Sequence, residues 1–121
     1  MNKIKELIKA VPALKVGVEY KTYLELAIGC YKFLEVARID GEIDKNIGIF
    51  TGHIIYYYNK YINAEGSFDT GDDELSDAND VAAQTLLIAI KFLGEATAMN
   101  AREKLYALLT LFSHFIFEIQ K

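Results

Sequence analysis

The chain has little that would interrupt a helix or crosslink a fold, with one proline, one cysteine and no tryptophan in 121 residues. The single cysteine, Cys30, excludes an internal disulfide framework and is typical of a reducing compartment. The longest stretches without a charged residue, 46–59 and 105–117, have 14 and 13 residues, whereas a membrane span needs about 18–20 apolar residues. The first residues also lack the apolar segment of a signal peptide. We therefore expect a soluble, cytoplasmic protein.

Lysine and arginine are missing from residues 64–80, AEGSFDTGDDELSDAND. The rest of the chain has 10 acidic residues and 13 basic ones, so its net charge is slightly positive and the negative charge is concentrated in one segment. The lysines are dispersed, which disfavours nucleic-acid binding because that function needs a concentrated basic surface. The segment contains seven carboxylates: Glu65, Asp69, Asp72, Asp73, Glu74, Asp77 and Asp80.

Apolar residues recur with helical spacing, which predicts an all-α fold. We expect an antiparallel four-helix bundle with an additional short N-terminal helix, forming a single domain over 1–121. An acidic loop is expected at about 64–76, before the fourth helix. The five helices are predicted at about 2–10, 22–39, 45–63, 77–98 and 100–121.

Polar residues mark the predicted helix starts. Thr22 followed by Glu25 has the spacing of a capping box, and Asn100 with Glu103 begins the fifth helix. Ser76 or Asp77 is expected to cap the fourth helix, whose first-turn carboxylates favour the positive end of the helix dipole. Residues 12–20 alternate like a strand, but a lone strand is unstable, so an extended connector is expected.

On each of the last three predicted helices the polar residues lie on one side and form a stripe. Apolar residues interrupt this stripe: Ile49 and Tyr56 in the third helix, Ile88 in the fourth and Phe117 in the fifth. These side chains either pack in a compact bundle or form an exposed patch that buries against a partner or a second copy. In the run YYYNKY, the tyrosines at 56–58 and 61 cannot all face inward. Either two of them pack with their hydroxyls at the bundle edge, or Tyr56 and Tyr57 contact a partner.

No catalytic signature is present, because the chain lacks a Ser/His/Asp order, a glycine-rich phosphate loop and an HExxH motif. We therefore predict no catalytic residue, no cofactor and no enzyme activity. Cys30 is expected to be a buried small hydrophobe, and His53 and His114 to be solvated. The acidic segments do not match the ligand positions of an EF-hand.

The stretch FLEVARIDGEID, residues 33–44, resembles the helix end and acidic turn of the tellurite-resistance TerB-like family, which comprises small all-helical domains with metal-binding turns. The resemblance covers 12 of the 121 residues. It implies that Asp40, Glu42 and Asp44 would be the metal ligands. That family continues with a glutamate-rich helix start, whereas KNIG follows here.

The hypothesis that uses most of these features is a non-enzymatic binding protein with a basic protein partner. Its acidic segment would attract the partner and flanking aromatic residues would supply burial. Small immunity proteins of toxin systems and phage-encoded inhibitors act in this way. A metal-binding module, a small-molecule sponge and a structural homo-oligomer, including a homodimer, are the alternatives. The predicted partner-binding residues are Tyr57, Tyr61, Phe68, Asp69, Asp72, Asp73, Glu74, Asp77 and Asp80.

Overall fold

The computed structural model describes residues 2–62 and 73–121, and within these ranges the chain forms five α-helices and no strand. The prediction of an all-α helical bundle is confirmed. None of the helices in the two described ranges has the length and apolarity needed to cross a bilayer. The helices are α1 (Asn2–Ala10), α2 (Tyr23–Asp40), α3 (Ile43–Tyr57), α4 (Asp73–Glu95) and α5 (Ala101–Ile119), and a π-helical turn, Tyr58–Ile62, extends α3.

Helix α2 lies at the centre of the bundle and packs against α3, α4 and α5. Buried residues occur on every side of α2, because a helix with three neighbours has little circumference left for solvent. Two fully buried rings, Phe50 of α3 and Phe112 of α5, meet edge to face with their centroids 6.3 Å apart. The core therefore depends on aliphatic and aromatic burial around α2.

Two helix starts agree with the caps expected from the sequence. The hydroxyl of Thr22 accepts a hydrogen bond from the Glu25 backbone N–H, although the Glu25 carboxylate accepts from Lys21 rather than from Thr22. At α5, Asn100 and Glu103 make both reciprocal bonds of a capping box. These local bonds satisfy backbone donors that the first turn of a helix leaves free.

The start of α4 differs from the prediction. Asp73, the first residue described after position 62, is already part of α4, so Ser76 and Asp77 lie inside the helix rather than at its cap. Acidic residues near the start of a helix are favourable because they interact with the positive end of its dipole. Helix α4 also ends at Glu95, before the expected limit near Ala98.

The four apolar side chains that interrupt the predicted polar stripes are exposed in the structure. Ile49 is 37% exposed, Tyr56 46%, Ile88 52% and Phe117 62%. These residues therefore lie on the outside of α3, α4 and α5, and do not complete the core of a single chain.

The connector between α1 and α2 is irregular, and Tyr20 holds it against the bundle. The Tyr20 hydroxyl lies 3.1 Å from the carbonyl oxygen of Pro12 and 3.0 Å from that of Ala13. The Leu14 backbone N–H donates to the carbonyl oxygen of Gly29, inside α2, at 3.0 Å. These bonds replace the secondary-structure partners that an irregular segment lacks.

Gly29 is required where Tyr20 crosses α2. A Cβ atom at this position would lie 2.9 Å from both Cε1 and the hydroxyl oxygen of the Tyr20 side chain, closer than van der Waals contact. The ring cannot move away freely, because Tyr20 is buried and its hydroxyl is bonded to the connector. The missing side chain at Gly29 therefore makes room for the aromatic ring.

We expect Gly29→Ala to lower the free energy of unfolding by about 1–3 kcal/mol, the usual cost of overpacking a core. Gly94→Ala is the matched control, because Gly94 is also helical but has no atom within 4 Å of a built Cβ. That variant should change the free energy of unfolding by less than about 1 kcal/mol, because Gly94 is exposed and lies in the last turn of α4. Urea unfolding of both variants tests the difference, and a Gly29→Ala protein as stable as Gly94→Ala would contradict the assignment.

Candidate functional site

A groove of about 290 Å³ opens where the start of α1, the start of α4 and the end of α5 meet. Its apolar walls include Ile4 and Ile119, which are buried, and Leu75, Ala78 and Val81, which are partly or largely accessible. Charged side chains surround this apolar surface, so the groove is amphipathic. The charged residues that line it are Lys3, Glu74, Asp77, Glu118 and Lys121.

Two of the three carboxylates in the groove pair with lysines of the chain itself. Lys3 Nζ is 3.4 Å from Glu74 Oε2, and Lys121 Nζ is 3.1 Å from Glu118 Oε1. Exposed pairs of this kind contribute only about 0–1 kcal/mol to stability. Asp77 has no ion pair with any residue in the described ranges. The remaining negative charge of the groove is therefore centred on Asp77.

Asp77 also lies on the outward face of α4. Asp77, Val81, Gln84 and Ile88 are exposed and follow one another at spacings of three or four residues, which places them on one side of the helix. Asp80 is exposed beside them. The first turns of this face are thus acidic and the following turns are apolar.

The structure describes only some of the acidic residues that the sequence predicts to bind a partner. Glu74, Asp77 and Asp80 lie on the exposed side of α4, and Asp73 occupies its first position. Glu74 and Asp77 line the groove, whereas Asp80 lies on the adjoining helix face. Three predicted partner-binding residues lie outside the described residues: Phe68, Asp69 and Asp72.

Tyr57 does not occupy the contact position expected from the sequence. Its side chain is only 1% exposed, and its hydroxyl lies 2.9 Å from the carbonyl oxygen of Lys15 and 2.6 Å from that of Val18. Tyr61 is half-buried and its ring stacks on Tyr57, with the ring centroids 5.9 Å apart. Tyr57 therefore fixes the connector to α3, and its burial leaves no surface for a partner.

Sequence reasoning missed Asn79, which links the starts of two helices. Its side-chain oxygen accepts a hydrogen bond of 3.0 Å from the backbone N–H of Leu24, in the first turn of α2. Asn79 is buried although it belongs to an acidic, exposed part of α4. The signal that could have identified it is its position outside the polar stripe formed by Asp77, Asp80 and Gln84. This bond holds the acidic turns of α4 against the bundle.

The ligand set implied by the TerB-like resemblance is not assembled. Asp40 Oδ2 accepts a hydrogen bond of 3.0 Å from the Asn46 side chain, and Glu42 Oε2 pairs with Lys45 Nζ at 3.5 Å. Together with Asp44, these carboxylates do not form a group that could hold a metal ion, and no other such group exists within the described ranges. The acidic turn instead connects α2 to α3.

The two histidines and the single cysteine contact residues of their own chain. His53 meets the ring of Phe33 edge-on at 6.3 Å, and His114 Nε2 is 3.8 Å from Glu118 on the surface of α5. Cys30 is fully buried in α2, as expected, and burial raises the pKa of its thiol. A raised pKa keeps the thiol protonated, which is the unreactive form.

Comparison of the chain with protein-family models, with curated proteins and with solved structures found no match. The groove and the outward helix faces are the features from which a function can be inferred.

Proposed function

We propose that this chain is a non-enzymatic binding protein that docks a basic protein partner at the groove between α1, α4 and α5. The observation that carries this proposal is the exposed carboxylate of Asp77, which has no ion pair within the described ranges and lies beside apolar groove walls. A partner lysine or arginine would pair with Asp77, while a neighbouring apolar side chain would fill the groove. The contact thus needs a basic segment that also carries apolar residues.

Charge and burial have different roles in this contact. Carboxylates around the rim accelerate encounter with a positively charged protein, whereas apolar burial slows dissociation. Asp80 extends the negative surface along α4, and residues 64–72 add three further carboxylates by composition. Basic side chains of the partner would compete with Lys3 and Lys121 for the carboxylates of Glu74 and Glu118.

Immunity proteins of bacterial toxin systems and phage-encoded inhibitors offer an analogy for this role, since small acidic proteins of these classes bind basic enzymes. The analogy concerns the physical logic of recognition and does not depend on a shared fold. A basic nuclease is the kind of partner that such a surface would fit.

We expect Asp77→Lys to weaken partner binding by about tenfold or more at low salt, because it replaces an attractive contact with a repulsive one. The protein and its variants serve as baits for proteins from cells that express the chain, followed by affinity measurements over a range of salt concentrations. Glu95→Lys is the matched control, since Glu95 is an exposed carboxylate at the opposite end of α4.

The proposal predicts a basic captured protein that is lost with Asp77→Lys and retained with Glu95→Lys. Its affinity for the natural chain should fall as salt increases, since screening weakens exposed charge pairs. Equal affinities of the two variants, or a partner whose binding does not depend on salt, would contradict an acidic docking site.

A further inference from the structure

Helix α1 is the least closely packed of the described helices. Helices α2 to α5 all pack against one another, whereas α1 does not pack closely along any of them. Ile4 is buried against the bundle, and Leu7 and Ile8 are partly buried. A helix of nine residues is too short to be stable alone, since even helices of about 12–15 residues are marginal in water. The helical state of α1 therefore depends on its contact with the bundle.

The two ends of α1 are held in different ways. At its end, the Lys32 side chain of α2 donates hydrogen bonds to the backbone carbonyl oxygens of Lys9 and Val11, which the last turn leaves free. At its start, Lys3 pairs with Glu74, and both side chains are more than half exposed. Exposed ion pairs are weak and are screened by salt. The start of α1 is therefore the end that separates more easily from the bundle.

Helix α1 has the chemistry that the groove requires of a partner. Three lysines and one glutamate give residues 2–10 a net charge of +2. The apolar residues recur at spacings of three and four, so they share one side of the helix, with Lys3 and Lys5 at its two edges. They are Ile4, Leu7 and Ile8. A basic amphipathic segment of the chain itself is thus already placed beside the acidic start of α4.

The space beside α1 is not filled. The groove of about 290 Å³ lies against Lys3 and Ile4, and its other apolar walls belong to α4 and α5. A cavity of about 150 Å³ already holds a benzene molecule, so the groove has room for at least one further apolar side chain. Protein interiors are otherwise closely packed. Helix α1 therefore covers the apolar surface of α4 and α5 only in part.

We propose that α1 is an autoinhibitory helix, and that the partner displaces its start by placing a basic amphipathic helix in the same site. This inference rests on the proposed function of the groove and names the binding element of the partner. The partner helix would present apolar residues flanked by lysine or arginine. Its basic side chains would pair with Glu74 and Asp77, while its apolar side chains would replace Ile4 and fill the groove.

Competition from α1 makes the groove selective. Because α1 belongs to the same chain, it competes at a high effective concentration. The apparent affinity of a partner is reduced to the fraction of chains in which α1 is displaced, so weakly fitting basic segments do not bind. A partner that fills the groove better than α1 gains the contacts that α1 lacks.

A synthetic peptide that repeats residues 3–9 twice, KIKELIKKIKELIK, is the probe for this competition. It keeps the apolar side of α1, and its net charge is +4, because each repeat has three lysines and one glutamate. A scrambled peptide of the same composition keeps the charge but loses the apolar side, and should bind at least about tenfold more weakly. Fluorescence anisotropy with labelled peptides measures both affinities.

Weakening the contact of α1 should strengthen binding of the peptide. We expect Ile4→Ala to lower the peptide dissociation constant by about tenfold or more, because it removes the buried side chain of α1 without changing any charge. If α1 stayed in place, the same variant would only remove part of the groove wall, and the peptide would bind no more tightly. Circular dichroism verifies that the variant is folded.

A pair of charge reversals within α1 gives a second test that leaves the core unchanged. Lys3→Glu should lower the peptide dissociation constant by about two- to fivefold relative to Lys5→Glu, because it turns the attraction to Glu74 into repulsion. Lys5→Glu is the matched control, since Lys5 is an exposed lysine of the same helix with no ion pair within the described ranges. Both variants change the net charge equally.

Amide hydrogen exchange shows whether α1 leaves the site. Saturating peptide should accelerate exchange at residues 6–8 of the natural chain, whereas the amides of α2 should stay protected. Protected α1 amides in the peptide complex would overturn the inference, and so would a peptide that binds Ile4→Ala no more tightly than the natural chain. If peptide binding is still lost with Asp77→Lys in those cases, the acidic docking site stands and only the displacement of α1 is wrong.

Discussion

Raising the pH above about 10 is expected to unfold the domain through ionisation of groups that the fold keeps buried. Burial raises the pKa of the Tyr20 and Tyr57 hydroxyls above their ordinary value of 10.0, and it raises the pKa of the Cys30 thiol above 9.0. The Tyr57 ring adds to the shift at Tyr20 because two neighbouring phenolates would repel each other. The folded state therefore retains protons that the unfolded chain releases.

The sign of the effect follows from this difference in proton binding. Below the ordinary pKa values both states are protonated, and the stabilisation is fully present. Between the ordinary and the raised pKa values the unfolded state is favoured by about 1.4 kcal/mol per pH unit for each group. The large shifts at Tyr20 and Cys30 would together remove a few kcal/mol within one or two pH units, and Tyr57 adds to the loss in the same direction. This loss is a large part of the roughly 5–15 kcal/mol that stabilises a small domain.

Circular dichroism and tyrosinate absorbance measured over the same alkaline titration test this expectation. The part of the tyrosinate signal that comes from Tyr20 and Tyr57 should appear together with the loss of the helix signal, because these buried phenols ionise only when the helices unfold. Tyr20→Phe removes one of the ionising groups, so its stability should fall less steeply with pH than that of the natural chain. Complete tyrosine ionisation with the helices intact, or an unchanged slope in Tyr20→Phe, would contradict the role given to these groups.

Replacing one of two adjacent tyrosines should destabilise the protein far more than replacing the other. We expect Tyr57→Ala to lower the free energy of unfolding by about 3–5 kcal/mol, as for other large aromatic residues removed from a core. The Tyr57 ring meets Tyr20 edge to face at 5.3 Å and stacks on Tyr61 at 5.9 Å. Tyr56→Ala should cost only about 1 kcal/mol, because nearly half of this residue is exposed.

Urea unfolding of the two variants and the natural chain gives both free energies. Tyr57→Phe separates the ring from the hydroxyl and should cost about 1–3 kcal/mol, since the connector carbonyl groups lose a hydrogen-bond donor. Equal losses for Tyr56→Ala and Tyr57→Ala would show that the tyrosine run does not have one buried and one exposed member.

Much of the helical architecture could be predicted because its signals are local. The apolar spacing predicts the five helices, and the residues at Thr22 and Asn100 predict two of their starts, since caps depend on side chains three residues apart. Helical spacing also predicts that Ile49 and Ile88 interrupt polar stripes, and both are exposed. The start of α4 was less predictable, because several neighbouring acidic residues could each have begun the helix.

The functional surfaces depend on contacts that the sequence does not reveal. Spacing cannot decide between Tyr56 and Tyr57, because the choice depends on the connector carbonyl groups that Tyr57 meets about 40 residues away. Likewise, the pairing of Glu74 with Lys3, and the lack of such a pair at Asp77 among the described residues, follow from the position of α1 beside α4. Asn79 was missed because its partner, the Leu24 N–H, belongs to another helix.

The sequence by itself determined that this protein forms a helical bundle, that acidic residues concentrate before and within the start of the fourth helix, and that the third helix carries a long uncharged stretch. Only the tertiary structure decided which tyrosine is buried, which carboxylates are paired, and which side of the third helix remains uncovered. The physical reason is the separation along the sequence over which each kind of interaction acts. Helix formation and capping depend on neighbours within about four residues, whereas burial and charge pairing depend on which distant elements the fold brings together.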